Sequence, residues 1–217
     1  NYFGLVQTNI YGWAWQSFAR SIASLFIFVM GVSLTLSYRR AVQKAGHRRL
    51  FGKYLRRGGQ IFGLGMVITI ATYFFIGPAY VRFGILHLLG ASIIMAYPFL
   101  GRSRWLSLAA GVLGIVLGAF LNRQVIDGPW LLWLGVKQAG ISMVDYYPLL
   151  PWGAITLLGI FAGDTLYPQG RRRFHLPAWG DFPLFRGLRF LGQHSLLIYL
   201  IHQPILIGLL MVLRFGN

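Results

Sequence analysis

Residues 17–57 read SFARSIASLFIFVMGVSLTLSY followed by RRAVQKAGHRRLFGKYLRR. The first part holds twenty-two residues and one charge, Arg20; the second holds nineteen residues and eight Lys or Arg. A run of about 20 mostly apolar residues is the length at which a helix crosses a hydrocarbon core of roughly 30 Å. A dense positive patch at the end of such a run is the signal that retains a connection on the cytoplasmic side. An apolar run leading into a basic one therefore decides the class of the chain: it is a membrane protein built of helices.

The same alternation continues outward. Further apolar runs lie at residues 57–76, 83–100, 105–121, 149–167 and 190–213. The whole chain is 56% hydrophobic and 11% charged, with a mean hydropathy of +0.61. A soluble domain carries about 25% charged residues. No segment shows the two-residue alternation of a barrel strand, and open backbone is not tolerated in lipid. The expected fold is all-α: a polytopic transmembrane helix bundle of about six spans, forming a single domain over residues 1–217.

The connections after the first, third and fifth runs carry Arg39, Arg40, Lys44, Arg48, Arg49, Lys53, Arg56, Arg57, Arg102, Arg104, Arg171, Arg172, Arg173, Arg186 and Arg189. The other side carries Arg20, Arg82, Arg123, Lys137 and Arg214. Fifteen against five places the first set in the cytoplasm and both chain ends outside. The net charge of +16 thus reflects membrane topology and lipid headgroups as partners. Nucleic acid is not expected, because the basic residues lie between apolar runs and not on one soluble face.

Residues 127–147 contain Trp130, Trp133, Lys137, Asp145, Tyr146 and Tyr147. They are expected to form an outer-face loop with a short interfacial helix anchored by aromatic rings, a re-entrant element being the alternative. Gly114 and Gly118 have the small-xxx-small spacing of a close helix crossing. The chain has no cysteine and no Glu, and only four Asp. Thiol chemistry is excluded, no metal site is expected from the scattered histidines, and each carboxylate becomes worth locating.

Ionisable groups within apolar runs are costly to insert and mark candidate sites. Arg82-Phe83-Gly84-Ile85-Leu86-His87 places an Arg at the outer end of the third run and a His five residues on. Asp145-Tyr146-Tyr147-Pro148-Leu149-Leu150-Pro151-Trp152 places a carboxylate just before the fifth. In the last run Ser195, Tyr199 and His202 recur at i, i+4 and i+7, one face of a helix, and Pro204 bends it. The candidate catalytic residues are His202, His87 and Asp145; the candidate substrate-binding residues are Arg82, Tyr199 and Ser195. Arg56 and Arg57, at the cytoplasmic start of the second run, are candidates for donor phosphates, with lipid headgroups as the competing partner.

These strings, with Gly192-Gln193-His194-Ser195-Leu196-Leu197-Ile198-Tyr199-Leu200-Ile201-His202-Gln203-Pro204, resemble the bacterial branch of the heparan-alpha-glucosaminide N-acetyltransferase catalytic-domain family. The resemblance spans nearly the whole chain. It implies an acyl-CoA donor, acetyl-CoA, taken from the cytoplasm, a sugar acceptor on the other side, and a place in the bacterial cytoplasmic (inner) membrane. It also implies a further first helix carrying Asp and Arg-Gly near its start and a His and an Asp near its end. The chain starts Asn1-Tyr2-Phe3-Gly4, where that helix would finish. A homodimer is compatible with such a chain.

Two functions fit the residues. An acyltransferase would use a neutral His to take the acceptor's proton as it attacks the thioester. A transporter or channel for an anion or a lipid-linked sugar would use the same polar stripe as a pathway. The shortage of intramembrane carboxylates and the lack of an internal repeat weigh against a proton-coupled carrier.

Overall fold

The computed structural model describes residues 12–45, 50–140, 143, 145–170, 173, 183–195, 197, 198 and 201. The chain divides into two compact units, Gln16–Arg173 and the pairing of Asn1–Trp15 with Phe174–Asn217.

The larger unit is built from five helices. They are α1 (Trp13–Ala45, entering at Gln16), α2 (Leu50–Ile76), α3 (Ile85–Ala96), α4 (Arg104–Leu121) and α5 (Leu149–Leu166). Four of them, α1, α2, α4 and α5, are long and apolar enough to cross a membrane. Their outward faces are apolar: Leu25, Val67, Phe74, Leu113, Val116 and Phe120 are all exposed. In water that pattern would be unstable, whereas in lipid it is the ordinary solvent-facing surface.

Close helix crossings are made by glycine. A Cβ at Gly31 on α1 would collide with the carbonyl oxygen of Thr156 and stand 2.9 Å from Gly159 Cα on α5. Gly58 of α2 and Gly90 of α3 approach each other's carbonyl oxygens in the same way. Gly111, Gly114 and Gly118 of α4 lie against Leu158, Ala154 and Pro151 of α5, so the expected small-residue crossing is formed. Near the basic end of these helices, Leu34, Tyr38, Leu50, Tyr54, Ile93, Leu100 and Ile160 make one buried cluster.

Three expectations are corrected. The basic connection of residues 39–57 is mostly helix. α1 runs for 33 residues, about 50 Å at the helical rise, and carries Arg39, Arg40 and Lys44 on its last turns. Lys53, Arg56 and Arg57 already belong to α2. The third run, expected to span at 83–100, yields a helix of 12 residues, about 18 Å long. It starts late because Arg82 lies in a bend, Phe83 in a β-bridge and Gly84 in extended backbone, and it ends in a 3-10 turn at Tyr97–Phe99. Eight of its residues, including His87 and Ser92, are buried. A helix packed between α2 and α5 need not match the bilayer itself. Finally, the interfacial helix expected within 127–147 is replaced by successive turns over residues 129–136, flanked by strands β1 (Val125–Ile126) and β2 (Lys137–Gln138), which pair in parallel. Gly128 and Gly135 have φ of 142° and 124°, a conformation that breaks a helix at both ends of the segment. Trp130 and Trp133 remain exposed, as interfacial anchors would be.

In the smaller unit, α6 (Pro183–Gln193) is amphipathic. Arg186, Arg189 and Gln193 share one face and Leu188 and Leu191 the opposite one. The last run, expected at 190–213, starts inside this helix; most of it, including Tyr199 and His202, lies outside the described residues.

Candidate functional site at the start of helix α3

The extended residues before α3 bring two distant strings together. Phe83 and Tyr146 form a parallel β-bridge, and Tyr147 N–H donates to the Phe83 carbonyl over 3.0 Å. This pairing carries Asp145 to the N-terminus of α3, where Ile85 N–H donates to Asp145 Oδ2 over 3.1 Å. The first N–H groups of a helix have no partner within it, and its N-terminus favours negative charge. Asp145 meets both needs.

Gly84 is the residue that permits the approach. A Cβ there would collide with Asp145 Oδ2 and stand 2.8 Å from Val81 Cγ1. Its own N–H donates to His87 Nδ1 over 3.2 Å. Since Nδ1 accepts, the proton of a neutral His87 sits on Nε2, which lies 3.3 Å from Thr69 Oγ1 on α2. The ring is buried, edge-on to Phe62 with centroids 5.1 Å apart and tilted against Phe83 at 5.5 Å. Gly65 on α2 makes room for it, since a Cβ there would stand 2.9 Å from Nδ1. Both ring nitrogens of His87 are thus engaged with protein groups.

Arg82 lies beside this turn. Its guanidinium stacks over Tyr80, 4.8 Å from the ring centroid, and donates to Gln138 Oε1 over 3.3 Å. Its Nε is buried without a hydrogen-bond partner among the described atoms. Leaving such a donor unpaired costs about 1–3 kcal/mol.

Burial raises the Asp145 carboxyl above its usual range, and the Ile85 N–H opposes the rise. Burial also pushes Tyr146 up to about 12; its hydroxyl donates to the Leu132 carbonyl over 2.9 Å. Tyr147 is raised by burial and by the Asp145 charge, and lowered by Arg20. The pairing of Phe83 with Tyr146 and Tyr147 thus sets the carboxyl of Asp145 and the guanidinium of Arg82 on adjoining segments at the start of α3. Thr69, Gln138, Tyr80 and Arg20 were not among the expected site residues. Thr69 is 18 positions from His87 and Gln138 is 56 from Arg82, and Arg20 is as far from Tyr147 as the helix α1 is from α5, so spacing does not single them out; Tyr80, two residues before Arg82, reads as an ordinary interfacial aromatic.

Of the remaining expected residues, Ser195 is half-buried in the smaller unit, and Tyr199 and His202 lie outside the described residues. Arg56 and Arg57 are exposed on α2. Among the described residues, no group of three His, Cys, Asp or Glu side chains has the arrangement of a metal site.

The sequence model of one protein family, Heparan-alpha-glucosaminide N-acetyltransferase, catalytic, matches residues 1–204. No curated protein and no solved structure matches the chain. The match covers nearly the whole sequence, including both strings that meet at α3, and with the apolar spanning helices it settles the class: the chain belongs to the heparan-alpha-glucosaminide N-acetyltransferase catalytic-domain family, a family of membrane-embedded transferases.

Proposed function

We propose that the chain moves an acyl group, acetyl by family, from acyl-CoA at the face of the basic connections to a sugar amine or hydroxyl at the opposite face. The observation that carries this reading is the hydrogen bond between Ile85 N–H and Asp145 Oδ2. It joins the two strings around Arg82–His87 and Asp145–Trp152 at the end of the bundle away from the basic helix ends.

In the reaction, the acceptor's nitrogen or oxygen attacks the thioester carbonyl. The carbon–sulfur bond breaks, CoA leaves as the thiolate, and the acceptor's proton passes to a base and then to the thiolate. His202 is the residue assigned to that proton. Asp145 hydrogen-bonds the acceptor, and the unpartnered Arg82 Nε holds a substrate oxygen. Tyr199 and Ser195 are assigned to substrate binding on the last helix, and Arg56 and Arg57 to the donor's phosphates. His87 acts through Gly84 and Thr69, fixing the turn that presents Asp145, and does not touch the substrate.

The test is incubation of the purified full-length protein with acetyl-CoA and glucosamine, following free CoA and N-acetylated product. Stoichiometric release of both is expected. Uptake of a sugar or anion into proteoliposomes with no CoA released would replace the transferase reading by the transporter one.

A further inference from the structure

Where α1 meets α5 at the basic end of the bundle, a cleft of about 320 Å³ is lined by Tyr38, Arg39 and Gln43 of α1, Asp164 of α5, and Gly101 and Arg102 of the turn before α4. Asp164 is the carboxylate in its wall, and its side chain is 7% exposed. Arg39 takes one of its oxygens, donating through Nη2 to Oδ1. The other oxygen, Oδ2, is buried with no hydrogen-bond partner among the described atoms. A carboxylate offers about four acceptor sites, and a buried acceptor without a partner forfeits its hydration for nothing. Arg102 has the opposite imbalance. It lines the same cleft, is exposed, and makes no ion pair among the described residues. Its backbone is held in place: Arg102 N–H donates to the Phe99 carbonyl over 3.3 Å. The preceding Gly101, at a φ of 76°, lies so close to the Tyr38 ring that a Cβ would stand 2.7 Å from Cε1. The freedom that remains is in the long Arg102 side chain.

We infer that Arg102 is a latch for this cleft: its guanidinium swings onto Asp164 Oδ2 and closes the opening between α1 and α5. The structure holds the open form, with Oδ2 bare. The closed form pairs each oxygen of Asp164 with one guanidinium. Closing costs Arg102 its side-chain freedom and gains a charge-assisted hydrogen bond. The balance differs from that of a surface ion pair, in which both partners are solvated and little is gained. Here Oδ2 is already out of water, so only the guanidinium has hydration to lose. The neighbouring Arg104 is placed differently. It stacks over Trp105, 5.3 Å from the ring centroid, and does not line the cleft. The latch therefore decides whether this opening at the basic end of the bundle is shut or open to solvent. The inference concerns conformation and holds whichever reaction the protein carries out.

A double-mutant cycle on the full-length protein in detergent, read by melting temperature, tests the pair. Arg102→Gln is made in the wild type and in Asp164→Asn, which keeps an oxygen for Arg39; Arg104→Gln is the control. Arg102→Gln is expected to lower Tm by about 2–4 °C in the wild type, the shift for one such bond in a chain of this size, and to change it little in Asp164→Asn. Arg104→Gln should act alike in both backgrounds. Modification by phenylglyoxal, followed at each arginine by mass spectrometry, reads the closure in the wild type itself. Arg102 should react more slowly than Arg104 and Arg123, which are exposed outside the cleft. Equal effects of Arg102→Gln in both backgrounds, equal coupling of Arg104 and Arg102 to Asp164, or an Arg102 that reacts as fast as Arg104 and Arg123 would overturn the inference. The modification needs no variant, so a failure of Asp164→Asn to fold leaves the latch open to refutation.

Discussion

Asp145 and Ile85, sixty residues apart, are joined by a hydrogen bond of 3.1 Å from the Ile85 N–H to the Asp145 carboxylate. The bond places a carboxyl on the N-terminus of a buried helix. Two forces then act on it in opposite directions. Burial favours the protonated form, while the backbone donor and the helix dipole favour the ionised form. Burial is the larger effect, so the carboxyl is raised.

The approach depends on Gly84, which has no room for a side chain beside Asp145. Gly84→Ala is expected to displace the carboxyl while leaving the helices assembled. Turnover should fall about 10²-fold, as for an ångström-scale misplacement of a reacting group. Acyl-donor binding, at the other end of the bundle, should be unchanged. Wild-type turnover in this variant would remove Asp145 from the site.

The raised carboxyl also predicts a pH dependence. A group whose folded pKa lies above its unfolded value of 3.8 stabilises the fold fully below that value. This contribution is lost as the pH rises through the folded pKa. Asp145→Asn keeps an oxygen for Ile85 N–H and cannot ionise. In detergent, the wild type and Asp145→Asn should melt alike at low pH, and the variant should become the more stable one as the pH rises. It should nevertheless be less active. The chain has four Asp and no Glu, so few other groups titrate in this window. A wild type that gains on the variant with rising pH would show that the helix terminus outweighs burial.

Apolar length made α1, α2, α4 and α5 legible from the sequence, because lipid selects on composition over a whole span. The same signal misjudged α3. Ile85–Ala96 is apolar enough to look like a span but is short, and it is shielded by neighbouring helices. Arg82, His87 and Asp145 stood out because charge is scarce here, and the structure brings their strings together. The partners Thr69 and Gln138 did not stand out, since a hydroxyl on α2 and an amide on β2 gain meaning only once the helices are packed. The grouping of Arg40, Lys44 and Lys53 around one cleft was hidden for a different reason. Within fifteen basic residues, only the geometry separates those facing a cavity from those facing solvent or, like Arg39, a carboxylate.

The charge asymmetry predicts an orientation that is testable because the chain has no native cysteine. Gln43→Cys lies on the basic end of α1, and Ala139→Cys lies after β2; both positions are exposed. Choosing Ala139 leaves the Gln138 bond to Arg82 intact. An impermeant thiol reagent on intact cells should label position 139 and spare position 43 until the membrane is opened. The reverse pattern would invert the topology and place Asp145 on the cytoplasmic side.

Two histidines of the resembling strings, His87 and His202, should part company on mutation. His87 is buried, with Nδ1 accepting from Gly84 and Nε2 beside Thr69. His87→Ala leaves the Gly84 N–H without an acceptor, at a cost of about 1–3 kcal/mol, and opens space between Phe62 and Phe83. Its first effect should therefore be a lower melting temperature, with turnover lost in proportion to the disturbance of Asp145. His202 stands in an apolar run ahead of Pro204. An imidazole there is costly to insert unless it has a task, since an apolar side chain would avoid the desolvation. His202→Ala should melt like the wild type and bind acyl-CoA as tightly, while turnover falls by about 10²–10⁴-fold, the range for loss of a general base. Melting curves, donor affinity and turnover measured on both variants separate the roles. A His202→Ala protein that fails to assemble would make this residue structural. One that keeps wild-type turnover in the full-length protein would move the base to another residue.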